Sequence, residues 1–180
     1  MIWKKYSILT AICIFAGIMS GYLFADSYFD ELKNVTDDFI DYVINRFLYI
    51  GNEEQIFLVT RIMIKRMGGY VLLWLFSLTP VCVPYTIWLC AKNGFLFGAF
   101  SAFMFMAYEK KAFIYLIAWY FPQYIIYIIV YLVTILYIIK NLQMNTKAVI
   151  ITLSILLFAG CILEAYVNPI FMSTIFQLYS

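Results

Sequence analysis

Residues 112–139 read AFIYLIAWYFPQYIIYIIVYLVTILYII. The run carries no charge, and it exceeds the roughly 20 apolar residues that cross a bilayer core. Phe121-Pro122-Gln123 interrupts it. Proline removes a backbone hydrogen bond and kinks or breaks a helix. In lipid such a break survives only where protein or water satisfies the freed carbonyls. The stretch is therefore one bent membrane helix or two half-helices, and the rest of the chain must shelter the break. Gln123 then has two readings. It caps a carbonyl at the break, or it lines a polar cavity.

The composition agrees with a lipid environment. Of 180 residues, 66% are hydrophobic and only 12% are charged, whereas soluble domains are about half apolar and about a quarter charged. The expectation is an all-α integral membrane protein of about five transmembrane helices, with membrane lipid as its main surroundings. The net charge is +2, and no basic stripe or glycine-aromatic motif points to nucleic acid. Cys13, Cys82, Cys90 and Cys161 all lie in apolar runs, without CxxC or metal spacing, and read as free thiols. The chain has no histidine, which removes the usual general base and the commonest metal ligand. No Walker motif is present. These absences argue against an enzyme, and no cofactor or metal is expected.

The remaining spans are placed at residues 6–25, 68–91, 94–108 and 148–168, the fourth being the run quoted above. Pro80 and Pro84 fall within the second. Residues 26–67 form an insert between the first and second spans. There the apolar positions Phe29, Leu32, Val35, Phe39, Ile40, Val43, Ile44, Phe47 and Leu48 recur at helical spacing among acids. That pattern predicts an amphipathic helix or a pair of helices. A second short helix, residues 53–67, is expected to carry Arg61, Lys65 and Arg66 to the membrane surface. The tail after Asn168-Pro169 is expected along the interface. Near the membrane the basic residues tie, Lys4, Lys5, Lys92, Lys140 and Lys147 on one side against Arg61, Lys65, Arg66, Lys110 and Lys111 on the other, so charge counting does not fix the orientation. Lys4 and Lys5 before the first span favour a cytoplasmic N-terminus, an outside C-terminus and an extracytoplasmic insert.

Three features could carry function. Gly17 and Gly21 in the first span, and Gly94, Gly98 and Ala102 in the third, recur every fourth residue. Such small-residue strips let helix backbones approach closely, either inside the bundle or in a homo-oligomer. Glu164 is a carboxylate in the last apolar run, with Gly160 and Asn168 on its face and Pro169 close behind. An ionised carboxylate is costly in hydrocarbon, so Glu164 should face the bundle. Candidate partners are Gln123, Ser101, a tyrosine hydroxyl or Lys110. The acids Asp30, Glu31, Asp37, Asp38 and Asp41 of the insert could face a partner protein, or form a solvated surface.

In their order along the chain these features resemble the stage II sporulation protein M family. The resemblance covers nearly the whole chain. It includes a basic N-terminus, an extramembrane helical stretch and Asn93-Gly94-x-x-x-Gly98. Its most telling residues are Phe121-Pro122-Gln123 and Leu163-Glu164-Ala165-Tyr166 with Pro169. The wider family often has histidine, glycine and a later acid after the proline; Gln123 and Tyr124 stand here instead, as in sporulation-type members. The resemblance implies a bacterial, multi-pass, non-enzymatic scaffold in the mother-cell membrane at the septum. It would assemble the peptidoglycan-degrading sporulation proteins D and P for engulfment of the forespore. Relatives in organisms that make no spores are sometimes linked to transport, so the alternative is a permease-like membrane partner of an ATPase.

Overall fold

The computed structural model describes residues 2–48, 52–140 and 146–179. Every element among them is helical: α1 (Ile2–Leu48), α2 (Asn52–Ser77), α3 (Cys82–Tyr108), a 3₁₀ turn (Glu109–Lys111), α4 (Ala112–Tyr120), α5 (Gln123–Lys140), α6 (Thr146–Ile162), a π turn (Leu163–Val167) and α7 (Asn168–Tyr179). The stretches Ile8–Glu31, Cys82–Tyr120 and Thr146–Ile175 are long and apolar enough to cross a membrane, and Gln123–Ile138 is a shorter apolar helix. Large apolar side chains such as Phe15, Leu23, Phe113, Ile128 and Ile155 point outward, as expected where lipid is the solvent. The chain is an all-α membrane protein.

The helix boundaries differ from the expected spans in three places, each for a backbone reason. First, α1 does not stop at residue 25. It continues for 47 residues, because neither proline nor glycine occurs between Gly21 and Gly51. The acids from Asp26 onward change the solvent of the helix, not its conformation. Second, the chain breaks at residues 78–81 and not near Lys92-Asn93. Pro80 disfavours helical geometry at Thr79, whereas Pro84 falls in the first turn of α3, where its missing N–H costs little. The freed groups are satisfied locally: the Thr79 amide and hydroxyl both donate to the Phe76 carbonyl, at 2.9 and 3.0 Å. Third, Pro169 does not end the last helix. It sits buried in the first turn of α7, after the π turn has shifted the hydrogen-bond register, and α7 packs back into the bundle through Met172.

Two interlocked groups of helices result. In the first, α1 lies parallel to α3. An added Cβ on Gly17 would strike the Ala91 carbonyl and lie 2.9 Å from the Phe95 amide; one on Gly21 would strike the Phe95 carbonyl and lie 2.7 Å from the Ala99 amide. Gly94 and Gly98 face the backbone of Ile14 and Ile18 in return, with Ala25 and Ala102 buried further along. The two glycine strips are thus seated on each other within one chain. α4 folds back on α3, pairing the rings Phe97–Tyr120, Phe100–Trp119 and Tyr108–Tyr115. Met104, Ala112, Tyr115, Leu116, Ala118 and Met172 form the buried centre of α3, α4 and α7. In the second group Tyr70, Tyr127, Val130, Leu153, Leu157 and Cys161 join α2, α5 and α6.

Backbone atoms cannot move aside as side-chain tips do. Gly98→Leu should therefore destabilise the folded protein by about 1–3 kcal/mol or more. Gly68→Ala, at a site where nothing lies within 4 Å, should be close to neutral. Thermal unfolding in detergent would compare them; equal midpoints for the two variants would contradict the seam.

Candidate functional site

A polar cluster around Glu164 ties α2 and α5 to the turn that joins α6 to α7. The carboxylate sits on the π turn Leu163–Val167, a local widening of the helix that recurs at functional positions. Arg66 of α2 grips it with two bonds, Nη2 to Oε1 at 2.7 Å and Nε to Oε2 at 3.0 Å. The Tyr127 hydroxyl of α5 donates to Oε2 at 2.6 Å. The guanidinium also lies 4.8 Å from the Tyr127 ring centroid and 5.2 Å from that of Tyr124. From behind, Tyr131 donates its hydroxyl to the Arg66 carbonyl at 3.0 Å. Both charged side chains are mostly buried, at 23% exposed for Arg66 and 18% for Glu164.

Local sequence makes this arrangement possible. Gly160, one turn before Glu164, leaves room for the Tyr127 ring: a Cβ there would lie 2.8 Å from Tyr127 Cε1. The π turn projects Glu164 towards α2. A planar guanidinium in a two-pronged contact with a carboxylate is the strongest of the common side-chain pairs. Arginine stays charged in proteins, so Glu164 is the counter-ion that lets Arg66 lie within the bundle.

Arg66 was expected at the membrane surface; it is instead the partner of Glu164. Of the proposed partners, a tyrosine hydroxyl is one that the structure supplies. Gln123, Ser101 and Lys110 do not bond Glu164 among the described residues. Gln123 is 1% exposed and donates Nε2 to the Trp119 carbonyl at 2.6 Å, a capping contact across the Pro122 break. Its Oε1 is buried with no hydrogen-bond partner among the described residues, as is Asn168 Oδ1 on the first residue of α7. Asp30 and Glu31 are exposed on α1. Asp37, Asp38 and Asp41 lie further along the same helix, with side chains outside those described.

The breaks in the two long membrane stretches lie side by side. α5 and α6 run antiparallel, with Tyr127 against Gly160, and Phe121 and Phe171 pair their rings at 6.4 Å. The Pro122 break between α4 and α5 is therefore level with the π turn between α6 and α7. Two interrupted helices face one another, and an arginine from a third helix joins the acid at the interruption.

The family described as Stage II sporulation protein M matches this chain over residues 10–169, which takes in Arg66, Pro122 and Glu164. No curated protein and no solved structure matches it.

Removing one member of a buried ion pair leaves the other uncompensated, at about 3–5 kcal/mol. Arg66→Ala and Glu164→Ala should each lose stability on that scale. Glu164→Gln should also be damaging, because a neutral amide cannot balance the guanidinium. Arg66→Ala combined with Glu164→Ala should cost clearly less than the two single losses added together. The double-mutant cycle is read from unfolding in detergent, with exposed Lys65→Ala as a control expected within about 0.5 kcal/mol of the parent. Additive losses would show that Arg66 and Glu164 do not stabilise one another.

Proposed function

The chain belongs to the stage II sporulation protein M family, and we propose that it acts as a non-enzymatic membrane scaffold that gathers peptidoglycan-degrading partners at the septal membrane during engulfment. In a sporulating host these partners would be the sporulation proteins D and P. The observation that carries this reading is α1. Its 47 residues extend about 70 Å at about 1.5 Å per residue, more than twice the roughly 30 Å hydrocarbon core. Its first half is clamped on α3 by the glycine seam. Beyond Glu31 it continues as an unbroken helical arm bearing Asp37, Asp38 and Asp41, with Asp30 and Glu31 at its root. A scaffold needs a recognition element held at a fixed height and direction. A continuous helix rooted in a packed membrane bundle supplies that without chemistry. With the N-terminus cytoplasmic, the arm projects outside, on the side where peptidoglycan lies.

One observation favours a second reading, a membrane subunit of a transport system. Facing helix breaks beside an intramembrane acid are the features on which transporters build substrate and ion sites, and the Pro122 break and the π turn have that form. In this reading the partner would be a cytoplasmic ATPase.

Asn34→Pro separates the two readings. It should hinge the arm of α1 while leaving residues 82–179 untouched. The scaffold reading expects normal protein in the membrane and loss of septal recruitment of the hydrolases, followed by fluorescence microscopy of tagged partners in sporulating cells. Undisturbed recruitment, together with an ATPase and no hydrolase in a tagged pull-down, would favour transport instead.

A further inference from the structure

Lys92 is the only charged residue between Arg66 and Glu109. Sequence reading puts it at a boundary between two spans, but α3 runs unbroken from Cys82 to Tyr108. Its depth follows from the glycine seam. Ala91 and Phe95, which bracket Lys92, both lie against Gly17 of α1. Gly17 is about 16 Å of helical rise from Tyr6 at one end of the apolar run, and about 14 Å from Asp26 at the other. In a core about 30 Å thick, the Cα of Lys92 is close to the middle.

Its side chain does not turn into the bundle. Trp88, Lys92, Asn93 and Leu96 are all exposed, and Trp88, Lys92 and Leu96 follow one another at four-residue spacing along one face. The ammonium lies over the Trp88 ring, 5.0 Å from its centroid. No carboxylate pairs with it among the described residues: Glu164 is held by Arg66, and Asp26, Asp30 and Glu31 of the parallel α1 lie beyond Gly17 by about 14 Å or more of helical rise. A lysine this deep can snorkel only part of the way to water. A free ammonium on a lipid-facing surface calls for an acid on whatever covers that surface.

We propose that the Trp88–Lys92–Leu96 face docks a transmembrane helix of a different protein that carries an aspartate or glutamate near its middle. The complementary charge must come from elsewhere, because a second copy of this chain in the same orientation brings no unpaired carboxylate to that depth. Trp88 and Leu96 supply apolar contact on either side of the charge pair, which excludes lipid and water from it. Asn93 adds a hydrogen-bonding group beside it. The inference concerns a membrane-embedded contact. It does not depend on what the arm of α1 binds, so its failure leaves the scaffold reading standing.

The test uses the full chain in liposomes, labelled for energy transfer against a designed single-span leucine-alanine helix. The probe carries Glu, Gln or Leu at its centre. The Glu probe should associate about tenfold more tightly than the Leu probe. Lys92→Leu should abolish that preference, Lys92→Arg should keep it, and Lys92→Glu should transfer it to a probe with a central Lys. Size-exclusion in detergent checks that each variant is folded; Lys92 is exposed, so all should elute with the parent. Equal association of the Glu and Leu probes with the parent chain would overturn the proposal. So would a preference for Glu that survives Lys92→Leu, or energy transfer between two labelled copies of the chain that Lys92→Leu removes.

Discussion

The arrangement of this bundle depends on pairing Arg66 with Glu164. Either charge alone in the hydrocarbon region is costly, so α2 can lie against the last membrane stretch only if both meet. Their two-pronged contact fixes the height of α2 relative to the π turn. The tyrosines complete it. Tyr127 occupies Oε2 from α5, and Tyr131 holds the α2 backbone at the residue that carries the guanidinium. Three helices are thereby tied at one point by groups that have no better partner in lipid. Apolar packing between lipid-like side chains supplies little preference for one register over another; the polar cluster supplies it.

The glycine seam acts differently. It brings α1 and α3 into backbone contact along several turns, where dispersion is strong and nothing needs to be neutralised. Because the seam is parallel, α1 and α3 run in the same direction. The chain must then return between them, which is the task of α2. That return leg contains Arg61, Lys65 and Arg66, and it is absent from the stretches apolar enough to span by composition. The return leg thus carries charge into the bundle, and Glu164 makes one of its charges tolerable there.

Much of this was legible in the sequence, and the parts that were not share a cause. Composition and apolar runs give the class, and the four-residue recurrence of Gly17, Gly21, Gly94 and Gly98 marks the residues of the seam. The prolines mark true interruptions at Pro80 and Pro122. Hydropathy failed where conformation and polarity part company. Asp26 ends an apolar run without ending a helix, and Lys92-Asn93 interrupts one without breaking the helix. Arg66 was missed because it and Glu164 are 98 positions apart, and no local pattern links them. The available signal was the mismatch itself: a lone acid in an apolar run requires a base, and Arg66 directly precedes the next uncharged run, residues 67–91. The π turn leaves no comparable trace, since Pro169 after an acid reads equally well as a helix end.

The same cluster bears on how the facing helix breaks are to be understood. A transport site exchanges partners: its charged groups must release one another or admit a substrate. Here both oxygens of Glu164 are occupied, Oε1 by Arg66 Nη2 and Oε2 by Arg66 Nε and Tyr127, and the guanidinium is flanked by two aromatic rings. Displacing any one of these groups exposes the others. Such a cluster suits a lock better than a path, since each member is held by more than one neighbour. The lock holds α2 and α5 against the turn that leads into α7, and α7 packs through Met172 on α3 and α4, so the two helix groups are joined through that turn.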